Sequence, residues 1–223
     1  MKKMNSIVGL IPLRGGSKSI PLKNIKVIAG KPLFAWCIEA ALKSEQFDII
    51  IVSTDSKQIK NEVKNLFPEI EVLERPKELA TDLATTESVM LHLAKFFRFN
   101  ILITIQATSP LTTSKDFINA LNQFRKDNLD SLLTGVKIKK FIWSLNGKPL
   151  NFNPQYRPMR QNFEGSFIEN GAFYITKRKI LQKYKCRLGG KIGIYAMSNE
   201  NNIEVDELTE WDEVEKILVK RNI

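Results

Sequence analysis

Apolar runs typical of buried strands alternate with stretches of helical periodicity along the first 136 residues of the chain. Asp48–Ser53 (DIIIVS) is a continuous β-branched run, typical of a strand covered on both faces. The pattern predicts strands at Ser6–Ile11, Asp48–Ser53, Ile70–Leu73, Asn100–Ile105 and Asp130–Val136. It predicts four helices: Pro32–Lys43, a helix that ends at Leu66 with Asp55 or Ser56 as N-cap, Thr86–Phe97 with Thr85 or Thr86 as N-cap, and Ser114–Arg125. Such alternation implies a mostly parallel sheet with helices on both faces.

The alternation is interrupted over residues 137–167, a stretch with several aromatic residues and three prolines. This composition favours an ordered, protruding subdomain over a flexible linker. The pattern then resumes with the strands Asn170–Ile175 and Lys191–Met197 and the helices Lys177–Lys183 and Thr209–Lys220, the last with Thr209 as its N-cap. We therefore expect one α/β domain over residues 1–223, with 137–167 as an inserted subdomain.

The chain is basic, with 34 Lys and Arg against 24 Asp and Glu, a net charge of +10. Such a charge fits a nucleic-acid partner, a generally basic surface or a small, highly anionic substrate. The basic residues are spread along the chain, and no RNA-recognition or zinc-finger motif is present. Nucleic acid is therefore not the expected main partner.

The sequence indicates a cytoplasmic chain. No apolar run approaches the roughly 18 residues that a membrane helix needs, so no membrane partner is expected. The apolar stretch near the N-terminus is short and interrupted by Pro12, which does not fit a signal peptide. The two cysteines, Cys37 and Cys186, lack metal-ligand spacing, which is consistent with a reduced compartment.

The segment Ile11–Leu33 (IPLRGGSKSIPLKNIKVIAGKPL) concentrates positive charge directly after the first predicted strand. It contains four Lys, one Arg, three Gly and no acid. It is neither a Walker A loop nor the Gly-x-Gly-x-x-Gly dinucleotide motif. The glycine pair Gly15–Gly16 lets the backbone adopt positive φ and approach a ligand closely, so that backbone amides and the basic side chains can surround a triphosphate. A basic surface loop is the alternative.

The segment Arg14–Asn24 (RGGSKSIPLKN), followed by Gly30–Leu33, resembles the signature of the acylneuraminate cytidylyltransferases. Leu13 and Ser19 stand where that family commonly has Ala and Gly. Further blocks occur in the family's order: Ser53–Asp55, Arg75–Asp82 (RPKELATD), Gln106–Leu111 (QATSPL), Arg160–Gln161 and Asn170–Tyr174 (NGAFY). The resemblance covers nearly the whole chain. It implies a three-layer, Rossmann-like nucleotidyltransferase fold.

The resemblance implies a reaction with CTP. The 2-hydroxyl of a nonulosonic (sialic-type) acid attacks the α-phosphorus, and pyrophosphate leaves. By resemblance, the nucleotide-binding residues are Arg14, Gly15, Gly16, Ser17, Lys18, Lys23, Asn24, Arg75 and Asp82. Arg14 and Lys18 also count as catalytic, together with Asp206.

The resemblance also implies a magnesium or manganese site, a sugar pocket and a homodimer. Glu204 and Asp206 correspond to two metal-binding acids of the family, where Asp is usual at the first position. The expected sugar-binding residues are Gln106, Arg160, Asn170, Tyr174 and Tyr195. Residues 137–167 are expected to form the dimerisation subdomain and to bring Arg160 to the neighbouring active site.

Two other functions stay open at this point. One is a related nucleotidyltransferase for another sugar acid, such as 3-deoxy-manno-octulosonate. That group usually opens with a different loop, so the segment Gly15–Lys18 argues against this function. The other is a basic nucleic-acid-binding module, against which the acids before Trp211 argue. The lone histidine, His92, is expected to be structural, since it lies among apolar residues of a predicted helix. The sequence does not choose among N-acetylneuraminate, legionaminate-type and pseudaminate-type acceptors.

Overall fold

The computed structural model describes residues 6–17 and 19–221, so Lys18 lies outside the described residues. The strands are β1 Ile7–Pro12, β2 Val27–Ile28, β3 Lys31–Pro32, β4 Ile49–Thr54, β5 Glu71–Glu74, β6 Ile101–Ile105, β7 Ser131–Ile138, β8 Ser166–Lys177 and β9 Ile192–Met197. The α-helices are α1 Leu33–Ser44, α2 Lys57–Leu66, α3 Thr86–Phe96, α4 Ser114–Lys126, α5 Arg178–Tyr184 and α6 Leu208–Arg221.

Seven strands form one sheet in the order β5-β4-β1-β6-β8-β7-β9. β1 pairs in parallel with β4 and β6, β4 with β5, and β7 with β9. β8 is antiparallel to both of its neighbours, β6 and β7. The carboxyl ends of the parallel strands therefore share one edge of the sheet with the beginning of β8. In open α/β sheets, ligands bind at such an edge.

Apolar side chains cover both faces of this sheet. One face packs against α1, α2 and α4, where Phe34 and Phe117 are fully buried. The other face packs against α3 and α5 through Met90, Leu93 and Leu181. The three layers confirm the predicted fold class. Within the described ranges, no helix is both long and apolar enough to cross a membrane.

The helix ends follow from local side-chain chemistry. The Ser56 hydroxyl accepts a hydrogen bond from the Ile59 amide at the start of α2, as an N-cap does. Thr113 forms a capping box at the start of α4. The prediction that Thr209 caps the last helix is wrong, because α6 begins at Leu208. There the Glu210 carboxylate accepts the backbone N–H groups of Asp206 and Glu207.

The segment between β7 and β8 is ordered around aromatic rings. The two strands extend into it by two residues at each end, since Lys137 pairs with Phe167 and Ile138 with Ser166. Beyond them, Phe141, Phe152, Phe163 and Trp143 pack together, and the Arg157 guanidinium lies 4.4 Å from the centre of the Phe141 ring. Both ends of the segment lie at the ligand-binding edge of the sheet.

Candidate active site

A cleft of about 530 Å³ opens at the carboxyl ends of β1 and β6. It is lined by side chains from four separate parts of the chain. The predicted site residues that line it are Arg14, Ser17, Lys23, Asn24, Arg75, Asp82, Gln106 and Asp206. The fold thus brings most of the predicted nucleotide-binding residues to one cavity. We call this cavity the nucleotide compartment.

The loop after β1 is fixed by its own backbone contacts. The Gly15 amide donates to Asp55 Oδ1 at 2.9 Å, and Asn24 Nδ2 donates to the Arg14 carbonyl at 2.9 Å. Neither Gly15 nor Gly16 has a positive φ, so the pair does not use the conformational freedom that glycine offers there. Gly15 is required for another reason: a Cβ there would lie 2.9 Å from Ser56 Cβ at the start of α2.

Two ion pairs hold cations of the nucleotide compartment against acids on other segments. Arg14 Nη1 donates to Asp82 Oδ1 at 2.9 Å. Lys23 Nζ donates to Asp206 Oδ1 at 2.8 Å and to the Val205 carbonyl at 2.9 Å. These four side chains thus neutralise one another in the protein alone. An anion that binds Arg14 and Lys23 must therefore compete with Asp82 and Asp206.

Arg75 is buried beneath the compartment, with only 5% of its surface exposed. Its Nε donates to the Ser53 hydroxyl at 3.2 Å and its Nη2 to the Ser53 carbonyl at 2.5 Å. Burial lowers the pKa of Arg75 to about 10; Asp55 opposes the shift and Arg14 adds to it. The guanidinium remains charged at neutral pH and is held rigidly by the end of β4.

A second cavity of about 390 Å³ adjoins the first, and Thr86, Gln106 and Thr108 line both. Its other lining residues are Glu169, Gly171, Tyr174, Arg187 and Glu204. We call it the acceptor compartment. Of the predicted sugar-binding residues, Gln106 and Tyr174 lie here. The Tyr174 hydroxyl donates to Glu169, and burial is the main reason why the pKa of Tyr174 is raised.

Glu204 and Asp206 reach the site through a backbone contact and divide between the two compartments. The Val205 amide donates to the Thr108 carbonyl at 2.8 Å, which joins this segment to the end of β6. Asp206 lines the nucleotide compartment and Glu204 the acceptor compartment. Burial, together with the nearby Asp206, Glu210 and Glu169 carboxylates, raises the pKa of Glu204 to about 7, and Lys23 opposes the shift.

The donor set fits a divalent cation that arrives with its substrate. The described residues contain no group of three or more His, Cys, Asp or Glu side chains that could hold a metal ion by themselves. Magnesium usually takes one or two carboxylates and completes its shell with waters and substrate phosphates. Asp206 meets this requirement at the wall of the nucleotide compartment. Burial is the main reason why the pKa of Glu204 is raised, and the neighbouring carboxylates of Asp206, Glu210 and Glu169 add to the shift.

Three predicted sugar-binding residues do not line the acceptor compartment. Asn170 is buried and donates through Nδ2 to the Asn201 carbonyl at 2.8 Å. The Tyr195 hydroxyl donates to Asp116 Oδ1 at 3.2 Å, at the start of α4. Arg160 lies in the aromatic segment between β7 and β8. His92 also lies outside the cleft, where it packs against Phe96 on α3.

Sequence reasoning missed several residues of the cleft. Thr86 is predicted only as a possible N-cap and Thr108 has no predicted role, although Thr108 lies inside the Gln106–Leu111 block that carries the resemblance. Glu169 directly precedes the Asn170–Tyr174 block. Extending the last block by one residue finds Glu169, whereas Thr86 lies four residues beyond the Arg75–Asp82 block. Arg187 lies in a short loop with no motif, and no signal in the sequence pointed to it.

The strand order and the basic loop after β1 define an α/β protein of the nucleotidyltransferase fold class. A solved structure of CMP:2-keto-3-deoxy-manno-octonic acid synthetase complexed with CTP superposes with a TM-score of 0.75 at 18% identity. The match covers 97% of this chain and 100% of that one. The chain belongs to the cytidylyltransferase family, whose family model matches residues 8–220.

Curated relatives narrow the similarity further. The chain is 33% identical to N-acylneuraminate cytidylyltransferase A of Danio rerio over 227 residues, which cover 98% of this chain and 52% of that protein. It is 29% identical to post-translational flagellin modification protein B of Campylobacter coli, over 99% of this chain and 98% of that one. The chain therefore spans about half the length of the Danio rerio relative. These similarities confirm the resemblance found in the sequence.

Proposed function

We propose that the protein transfers CMP from CTP to the anomeric 2-hydroxyl of a nonulosonic acid and releases pyrophosphate. The observation that carries this proposal is the pair of adjoining compartments, which share Gln106 and Thr108. One compartment has the basic loop and Asp206, and the other has polar groups suited to a sugar. A reaction between a nucleotide and a sugar acid needs its two substrates side by side in this way.

In this proposal the basic residues position the triphosphate. Arg14 and Lys23 exchange their pairs with Asp82 and Asp206 for phosphate oxygens, and Lys18 adds a further cation. Asn24 contacts the nucleotide, and Arg75 helps to recognise cytosine. Fixed cations of this kind stabilise the charge that develops as pyrophosphate leaves. No side chain needs to form a covalent intermediate, since the acceptor hydroxyl is itself the nucleophile.

Asp206 is the residue that would hold magnesium or manganese, with Glu204 beside it. Bound there with the triphosphate, the cation would neutralise charge on the phosphate oxygens. Asp206 is already placed against Lys23, a triphosphate ligand in this proposal. Glu204 lies towards the acceptor, which favours a contact through water or with the acceptor rather than direct ligation.

We further propose a cytoplasmic homodimer formed through the subdomain of residues 137–167. Several apolar side chains in this segment are exposed: Leu145 completely, Trp143 at 48%, Leu150 at 63% and Met159 at 68%. Several exposed apolar side chains within one segment favour association with a second protein surface. Arg160 of one subunit would then lie near the cleft of the other. Analytical ultracentrifugation of the wild-type chain and of a Leu145→Ser, Leu150→Ser variant tests this.

The first experiment is pyrophosphate release from CTP and magnesium with a panel of acids. The panel comprises N-acetylneuraminate, diacetyllegionaminate, pseudaminate and 3-deoxy-manno-octulosonate. We expect release with one nine-carbon acid. Release only with the eight-carbon acid, 3-deoxy-manno-octulosonate, would instead favour the second candidate function, a nucleotidyltransferase for that acid. The fold is compatible with this function, because it is shared with the 3-deoxy-manno-octonic acid synthetase.

A folded protein that binds CTP but uses none of these acids would contradict the acceptor part of the proposal. A protein that does not bind CTP, measured by calorimetry in magnesium buffer, would contradict the nucleotide part. Salt-sensitive RNA binding without turnover would revive the nucleic-acid alternative.

A further inference from the structure

Arg187 is the one cation among the described residues that line the acceptor compartment. Glu169 and Glu204, which line it too, are acids. An acceptor that itself carries a carboxylate would meet two carboxylates in this space. Since like charges repel, binding such an acid requires a compensating cation within reach. Arg187 is placed to supply it.

The guanidinium of Arg187 is fixed on the side of the compartment formed by α3. Its Nε donates to Glu87 Oε1 at 2.6 Å and its Nη2 to Glu87 Oε2 at 3.1 Å. The two side chains are only 22% and 19% exposed. A two-point contact between guanidinium and carboxylate fixes both position and plane.

Two more contacts hold Arg187 in place. Its guanidinium lies 4.7 Å from the centre of the Tyr174 ring, a cation–π distance. Its backbone carbonyl accepts the Thr176 hydroxyl at 2.7 Å. The side chain is therefore pre-organised before any ligand binds, which lowers the entropy cost of recognition.

The pair with Glu87 leaves donors available. A guanidinium has five N–H donors, and Glu87 engages only Nε and Nη2. The Nη1 amino group is not used by Glu87, and the Tyr174 hydroxyl is a further hydrogen-bond partner of the guanidinium. Burial alone would raise the pKa of Glu87, but the hydrogen bonds from Arg187 outweigh it and the pKa is lowered. Both partners thus stay charged at neutral pH.

We propose that Arg187, held by Glu87 and stacked on Tyr174, is a specificity-determining residue that donates to an sp² oxygen of the acceptor acid. The inference rests on the proposed function and deepens it. The shared chemistry is a planar carbonyl-type oxygen, which occurs in the acceptor both as the carboxylate and as the carbonyl of an acyl-amino substituent. A guanidinium suits either, because its donors lie in one plane.

The test is steady-state kinetics of pyrophosphate release by Arg187→Met, with the KM values for acid and for CTP measured separately. Loss of a charge-assisted hydrogen bond should raise the KM for the acid by about 10- to 100-fold. The KM for CTP should stay within about twofold, and a fall in kcat alone would contradict the proposal. Glu87→Gln, which keeps the shape but loosens the guanidinium, should give a smaller increase in the same direction.

Arg178→Met is the matched control. Arg178 also ties α3 to the strand side of the fold, because its Nη1 and Nη2 donate to the carbonyls of Phe97 and Ala94. It lines neither compartment. We expect this variant to lower the melting temperature and to leave both KM values unchanged. If it raises the KM for the acid as much as Arg187→Met does, the role of Arg187 is structural and the proposal fails.

Acceptor analogues separate the two oxygen sources. N-acetylneuraminate and its deaminated analogue, which has a hydroxyl in place of the acetamido group, share the carboxylate. If Arg187→Met raises the KM for both equally, the residue binds the carboxylate. If it raises the KM only for the acetamido compound, the residue binds the acyl carbonyl. An unchanged KM for an acid that the wild-type protein uses overturns the inference alone, whereas no turnover by the wild type overturns the proposed function first.

Discussion

Replacing Gly171 by alanine should separate the stability of the fold from the geometry of the acceptor compartment. Gly171 has φ +62, which strains an L-residue. A Cβ there would lie 2.6 Å from Glu204 Oε1, whereas ordinary contact begins near 3.4 Å. Because that oxygen is the end of a flexible side chain, the carboxylate can rotate away. The Gly171→Ala variant should therefore fold with its Glu204 carboxylate displaced.

The expected loss of stability can be worked from the backbone alone. A left-handed conformation costs alanine ~1–2 kcal/mol. The lower entropy of the unfolded chain returns ~0.4–1 kcal/mol. The net loss of about 1 kcal/mol corresponds to a fall in melting temperature of about 2 to 4 °C for a chain of this size. Gly147→Ala is the control, because Gly147 has φ +79 and no atom within 4 Å of the added Cβ.

The Gly171→Ala and Gly147→Ala variants should differ in activity, although their stabilities should be similar. A displacement near 1 Å in a reacting site can cost on the order of 100-fold in rate. We expect Gly171→Ala to lose 10- to 100-fold in kcat/KM for the acid, and Gly147→Ala to keep wild-type kinetics. The assays are thermal denaturation and pyrophosphate release. A folded Gly171→Ala variant with unchanged kinetics would refute the assignment of this cavity to the acceptor.

Three further predictions concern single side chains. Asp206→Asn should lose about 100-fold or more in turnover. Its free energy of unfolding, measured by thermal denaturation, should change by less than ~1 kcal/mol, because the Asp206 side chain is 62% exposed. Full turnover by this variant would contradict the metal assignment. Burial raises the pKa of Cys37 to about 12. Iodoacetamide at pH 8.5 should therefore label the native protein only at the half-buried Cys186, and mass spectrometry should detect a second label after denaturation. Because the pKa of Glu87 is lowered, its pair with Arg187 stabilises the fold above the ordinary pKa of Glu and is lost as pH falls through the lowered value. Glu87→Gln should therefore narrow the difference in melting temperature between pH 7 and pH 3, and an unchanged difference would contradict the pair's contribution.

Local patterns were sufficient to predict most of the elements. The run Asp48–Ser53 marks β4 because its side chains are covered on both faces, and the helices follow their apolar spacing. The direction of β8 was not predictable in this way. Hydrophobic alternation is the same in parallel and antiparallel strands. The long ordered segment between β7 and β8 also gave no sign that the two strands pair directly. The two-residue strands β2 and β3 are too short to produce any pattern.

The nucleotide compartment was easier to predict than the acceptor compartment. Arg14, Lys23 and Asn24 come from one continuous loop, so their proximity follows from the sequence. Arg187 and Glu87 are 100 positions apart and meet only because α3 lies beside the loop that precedes β9. Tyr195 illustrates the opposite case: its strand was predicted, but the alternation of β9 directs its hydroxyl to Asp116.

The position of β6 in the sheet has a consequence for how such a protein can diverge. β1, β4 and β5 lie on one side of β6, and β8, β7 and β9 lie on the other. Gln106, at the end of β6, is shared by both compartments, whereas Arg14 and Arg75 belong to the first side and Glu169 to the second. Under the proposed function, substitutions on the β8 side can therefore alter the choice of sugar while the nucleotide side stays intact. If the proposed function holds, a lineage of such proteins could change its sugar substrate and keep its nucleotide site unchanged.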